Sequence, residues 1–166
     1  MTVLAIDAGT THSGVAGYSE SDGWMFWPKV ENGLILDWLR GWDDDAFDGY
    51  IPELIFGTRD VTLLIEQVTA IGATIGNETL RTVEWGGRFY EAWDARGGTA
   101  VWVPRQAVKS WHLKGRFKRD EAPKGTDARI RKVMLEKYGK AMKGATSHSM
   151  QAAAIVSWFL EIKETP

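Results

Sequence analysis

The sequence predicts an α/β domain built on a mixed five-stranded sheet with helices on both faces. Short apolar runs read as strands, helical spacing fills the stretches between and after them, and two of the strands end on an acid, Asp7 and Glu66. At 166 residues the chain has the length of one domain, residues 1–166, and enough to bury about 70% of its unfolded surface.

Residues 3–7 (VLAID) make the first strand, apolar from Val3 to Ile6 and closed by Asp7. A polar turn, Ala8 to His12, leads into a second run over 13–18, so the two read as a hairpin with one carboxylate at its open end. Aspartate is a poor strand former, and at the end of a buried strand its charge is costly unless a cation or a set of donors satisfies it. Ser21, Asp22 and Gly23 turn the chain into a third strand over 23–30, which Pro28 places at a sheet edge or ends early. Leu34, Ile35, Trp38, Leu39 and Trp42 have helical spacing. The acidic cluster that follows, Asp43, Asp44, Asp45 and Asp48, reads as a solvated loop, because consecutive aspartates point in different directions.

Residues 61–66 (VTLLIE) are β-branched and aliphatic, a buried strand that ends on Glu66. A glycine-rich loop over 71–77 opens a helix from Asn77 to about Asp94. Its apolar residues fall on two faces, Leu80, Val83, Gly87 and Tyr90 on one, Trp85, Phe89 and Trp93 on the other, so one face packs on the sheet and the other needs a partner. A fifth strand spans 99–103, closed by Pro104, and a short helix follows over 105–113. Residues 114–125 (KGRFKRDEAPKG) lack periodicity and read as a mobile basic loop. Two more helices are expected, from Thr126 or Asp127 to near Gly139 and from about His148 to Lys163.

Composition excludes several classes. With 44% hydrophobic and 25% charged residues the chain is neither disordered nor of low complexity. Its longest apolar run, around 152–160, falls short of the ~20 residues that span a bilayer. No cysteine and no leader-like N-terminus point to a reducing cytoplasm. The net charge of −2 hides a sorting of charge along the chain: residues 1–104 carry 6 Lys+Arg against 16 Asp+Glu, and residues 105–143 carry 13 against 4. Such a basic block is the footprint of a polyanionic partner, or else a solvated face of two helices.

Three antiparallel strands, then alternating helix and strand, with acids ending the first and fourth, is the layout of the ribonuclease-H-like fold. There the first and fourth strands are neighbours, so Asp7 and Glu66 converge. Two carboxylates a few ångströms apart repel unless a cation sits between them, and hard oxygen ligands suit Mg²⁺, with Mn²⁺ as a substitute. Backbone donors are the other way to satisfy such a pair. His148, Gln151, Ile155 and Phe159 share one face of the last helix, directed at the sheet.

Asp7 in VLAIDAG, Glu66 in LLIEQV, the RQAVK run at Arg105 to Lys109 and the SHSMQAAAIV start of the last helix together resemble the RuvC-type Holliday junction resolvases, particularly phage-encoded relatives, over nearly the whole chain. The resemblance implies a crossover junction endodeoxyribonuclease: a homodimer that hydrolyses phosphodiester bonds at four-way or other branched DNA, using divalent metal. It implies an acid on the first strand (Asp7), a Glu on the fourth (Glu66), and two acids three positions apart on the last helix, where this chain has His148 and Gln151. Some family members place histidine at the first of these, whereas Gln151 is a neutral amide in place of a carboxylate. Asp127 either supplies the missing charge or caps its helix. Arg105, Lys109, Lys114, Arg116, Lys118, Arg119 and Lys124 would lie along the phosphate backbones. The second face of the 77–94 helix would serve the dimer, and Trp85 would either wedge at the branch point or pack in the core.

IDAGTTHS also resembles the phosphate-binding turn of actin-like ATPases and sugar kinases, which share the core fold but bind nucleotide between two such domains. A catalytically impaired junction-binding protein, with Gln151 marking lost cleavage, is the third expectation.

Overall fold

The computed structural model describes residues 1–41, 61–68, 75–116 and 125–163. The acidic cluster at 43–48, most of the glycine-rich loop, and Lys118, Arg119 and Lys124 lie outside the described residues. β1 (Thr2–Asp7), β2 (His12–Ser19) and β3 (Gly23–Glu31) form an antiparallel meander, and β4 (Val61–Gln67) and β5 (Thr99–Pro104) add in parallel on the other side of β1. The sheet order is β3-β2-β1-β4-β5. β3, the strand holding Pro28, lies at an edge, where proline is tolerated.

β1 is central and buried on both sides, which is why Val3 to Ile6 form an unbroken apolar run. Period-two alternation then divides the core. Val3, Ala5, Leu64 and Val103 face α3 (Arg105–Leu113), α4 (Thr126–Tyr138) and α5 (Ser147–Lys163), whereas Leu4, Ile6, Leu63 and Ile65 face α1 (Asn32–Arg40) and α2 (Asn77–Ala95). α5 is enclosed: Met150 and every residue from Ala152 to Val156 are buried, between the sheet and α4.

The apolar face of α1 differs from expectation at Leu34, and the two faces of α2 divide as expected. α1 begins at Asn32, buries Ile35, Leu36, Trp38 and Leu39, and leaves Leu34 exposed; it stops at Gly41, whose left-handed φ of 73° closes the helix against Asp37 and Trp38 carbonyls. α2 buries Gly86, Phe89, Ala92 and Trp93 and leaves Leu80 and Val83 exposed. Trp85 packs on Phe89, ring centroids 5.8 Å apart, with the Arg88 guanidinium over it. Packing is the use of Trp85 here.

Candidate active site

β1 and β4 run parallel with Ile6 opposite Ile65, so the next residue of each strand, Asp7 and Glu66, emerges at the same end of the sheet. Alternation puts both on the side that carries α5, since Asp7 continues the set Val3, Ala5 and Glu66 follows Leu64. Glu66 is only 8% exposed. Burial pushes the Asp7 carboxyl well above the usual carboxylate range, the Glu66 charge and a hydrogen bond with Glu66 raise it further, Arg105 opposes, and Asp127 adds repulsion. Asp7 and Glu66 therefore share a site with too little positive charge. The Arg105 guanidinium, at the start of α3, stands with Nε 3.5 Å from Glu66 Oε1.

The start of α5 is seated by a missing side chain. Gly14 is the register partner of Asp7 on β2, and a Cβ there would lie 2.4 Å from the His148 carbonyl carbon and oxygen and 2.9 Å from its Cβ. Only glycine lets the helix approach so closely. His148 is exposed at this rim and Gln151 is half-buried, while Ile155 and Phe159, further along the same face, enter the core.

Asp127 does not cap α4. Gly125 holds the N-cap position, no side chain caps the helix, and Asp127 sits in the first turn, where the helix dipole favours an anion. Its carboxylate is 62% exposed and pairs with Lys109 Nζ at 3.5 Å. Among the described residues no three His, Asp or Glu side chains stand close enough together to hold an ion. Asp7 and Glu66 are brought together; Asp127 is near enough for its charge to be felt at Asp7; His148 sits over Asp7's neighbour strand; Gln151 lies one turn further along. A buried Glu66 beside a half-buried Asp7, with too little positive charge around them, is nonetheless a donor set that suits a hard divalent cation, with nothing in it to separate Mg²⁺ from Mn²⁺.

Ser13 and Asn32, both 1% exposed, carry no signal in the sequence yet fix the turn after Asp7. Gly9 N–H donates to Ser13 Oγ (3.2 Å), Ser13 Oγ donates to Asn32 Oδ1 (2.7 Å), Asn32 Nδ2 donates to Gly9 O (3.0 Å), and Asn32 N–H donates to Thr11 O (3.0 Å). Gly9 is required as well, since a Cβ on it would meet His12 O at 2.2 Å. His112 is a second buried polar group without a sequence signal: its Nε2 lies 2.9 Å from the Ala154 carbonyl, tying α3 to α5, and burial lowers its pKa.

The basic block is divided by function in the fold. Arg105 is paired with Glu66 and Lys109 with Asp127, Lys137 is paired with Glu161, and Lys132 lies 3.9 Å from Glu136. Lys114 and Arg116 are exposed at the end of α3. Between α3 and the start of α4 runs a groove of about 490 Å³ lined by Gln106, Lys109, Ser110, Leu113, Lys114 and Thr126.

No protein-family model matches the chain, and no curated protein sequence does either. Solved structures do. RuvC of Thermus thermophilus is 18% identical with a TM-score of 0.58, the match covering 98% of this chain and 97% of that one. A second structure, T. thermophilus RuvC in complex with a Holliday junction substrate, is 17% identical with a TM-score of 0.55, covering 98% and 96%. At these identities the likeness speaks for the fold, and the chain has the ribonuclease-H-like fold of RuvC.

Proposed function

We propose that this chain is a divalent-metal-dependent endonuclease that cleaves phosphodiester bonds in branched DNA, with the four-way Holliday junction as its main substrate. The observation that carries it is the apposition of a half-buried Asp7 and a buried Glu66 at the ends of adjacent strands, short of positive charge, in a fold shared with RuvC. The neighbour structure that contains a Holliday junction supports the choice of substrate. The resemblance to phage-encoded resolvases rests on the residue runs around Asp7, Glu66, Arg105 and His148.

Asp7 and Glu66 would hold Mg²⁺ or Mn²⁺, with His148, Asp127 and the Gln151 amide oxygen as further ligands. When bound, such a cation lowers the pKa of a coordinated water and stabilises charge on the leaving oxygen. The chain's own residues supply the rest. Arg105 and Lys109, now paired with acids, would offer a scissile phosphate two cations, Lys114 extends this line in the groove, and Arg116 is exposed two residues further on. The whole chain works as one nuclease domain in the cytoplasm. It acts as a homodimer through the exposed apolar face of α2, Leu80 and Val83, since a two-fold pair needs a self-complementary patch.

The phosphate-turn alternative asks the DAGTTHS backbone to donate to phosphate. Of the donors in this turn the Gly9 amide already donates to Ser13 Oγ, which leaves one fewer N–H for a phosphate. The deciding experiment is cleavage of synthetic junctions, forks and flaps with Mg²⁺, Mn²⁺ or EDTA, with ATP hydrolysis assayed in parallel. Metal-dependent cutting abolished by Asp7→Asn is expected. ATP hydrolysis without DNA cleavage would return the kinase or ATPase alternative, and junction binding without cleavage would mark an impaired binding protein.

A further inference from the structure

We infer that Asn32 and Ser13 are positioning residues for Asp7: together they clamp the β1–β2 turn and so set the carboxylate's place beside Glu66. This rests on the nuclease reading of the Asp7–Glu66 site.

Two residues beyond Asp7, both backbone polar groups of Gly9 are held, the N–H by Ser13 Oγ and the carbonyl by Asn32 Nδ2. The two clamp side chains then bond each other at 2.7 Å, and the Asn32 amide N–H takes the Thr11 carbonyl. The turn is thus pinned at Gly9 and Thr11 by the first residue of α1. Each partner uses its full chemistry: Asn32 accepts with Oδ1 and donates with Nδ2, which neither Asp nor Leu of the same shape does. Buried polar pairs of this kind impose one geometry, because any other arrangement leaves a donor or acceptor unsatisfied.

The clamp reaches the far side of the site as well. Ser13 immediately precedes Gly14, the residue on which the first turn of α5 rests, and β2 is irregular against β3 between Ser13 and Val15. A slack strand at this point would let both Asp7 and the α5 start drift. Fixing Ser13 fixes the strand from which both are measured.

The test compares Ser13→Ala and the near-isosteric Asn32→Asp with the parent and Asp7→Asn. Ser19→Ala is the control, because Ser19 is an equally buried β2 serine that donates to Asp22 at 2.7 Å, at the other end of the strand. Each protein is melted across a Mg²⁺ titration, and single-turnover junction cleavage is followed over the same range. The parent is expected to gain melting temperature with Mg²⁺, and Asp7→Asn to lose that gain. Both clamp variants should shift the Mg²⁺ midpoint upward by about 10–100-fold, as loss of supports behind a ligand does. Excess metal should recover much of their cleavage rate. Ser19→Ala should melt lower with an unmoved midpoint. Should Ser13→Ala behave as Ser19→Ala does, stability lowered and midpoint parental, the clamp is only structural and the inference fails. Ser13→Ala keeps both Asn32–turn backbone bonds, so it tests the idea even if Asn32→Asp does not fold. A parent that neither gains stability with Mg²⁺ nor cuts DNA would refute the nuclease reading itself, and the inference with it; that failure is read from the parent alone.

Discussion

Gly14→Ala adds a single methyl group at the point where β2 and α5 meet. The new Cβ would stand 2.4 Å from the His148 carbonyl atoms, against the 3.4 Å at which ordinary contacts begin. The first turn of α5 must therefore withdraw by about 1 Å, because the atoms in the way are backbone and have no rotamer to yield. Overpacking of this kind costs about 1–3 kcal/mol, which for a chain of this length lowers the melting temperature by roughly 2–12 °C. The functional loss should exceed the stability loss. His148 rides on the displaced turn, and a misplacement of about 1 Å at a reacting centre costs on the order of 10²-fold in rate. Thermal unfolding and single-turnover cleavage of a four-way junction, both well below the melting transition, separate the two effects. A Gly14→Ala protein that melts and cuts like the parent would show that α5 does not rest on this glycine.

Other perturbations follow from the same geometry. Asp7→Asn should be more stable than the parent at neutral pH: the Asp7 pKa is raised on folding, so the parent loses stability as pH rises through the folded value, and the two melting curves should converge as pH falls toward 3.8, the ordinary value for the group. His112→Ala should cost at least about 1 kcal/mol by loss of its bond to Ala154. It should also flatten the acid limb of the melting profile, since a histidine whose pKa is lowered on folding contributes stability above pH 6.5 that is lost as pH falls through the folded value. Asp127→Asn should leave the melting temperature nearly unchanged, because an exposed pair contributes at most about 1 kcal/mol. Lost cleavage in that variant would then report chemistry, and parental cleavage would remove Asp127 from the site. Replacing Lys114 and Arg116 with Ala should reduce the log–log salt slope of DNA binding by about 0.9 per lost phosphate contact; an unchanged slope would place the DNA elsewhere.

What the sequence revealed about this fold came from contradictions within short segments. An acid at the end of an apolar strand, seen at Asp7 and again at Glu66, is a local conflict that announces a purpose, and the hydrophobic pattern alone set the strands from which both emerge. Pro28 marked an edge strand by the same local logic. Ser13 and Asn32 gave no such sign, because each is an ordinary residue until the chain brings them together across 19 positions. His112 likewise meets Ala154 across 42. The basic block was visible as a sum of charges, but its division was not: only folding turns Arg105 toward Glu66 and Lys109 toward Asp127. Asp127 read as a cap from its place at a helix start, and Gly125 took that role instead.

The site and the scaffold place opposite demands on β1. Burying Asp7 beside Glu66 works against folding, as the raised Asp7 pKa records, and Arg105 offsets it only from 3.5 Å and a partly exposed position. The strand that bears this cost is itself deeply buried, with Val3, Leu4, Ala5 and Ile6 all inaccessible and core on both sides. At roughly 25 cal/mol per Å² of apolar surface removed from water, these residues outweigh one strained carboxyl. Placing the acids at the end of the central strands, rather than on an edge, therefore keeps the sheet intact while the two carboxyls stay side by side.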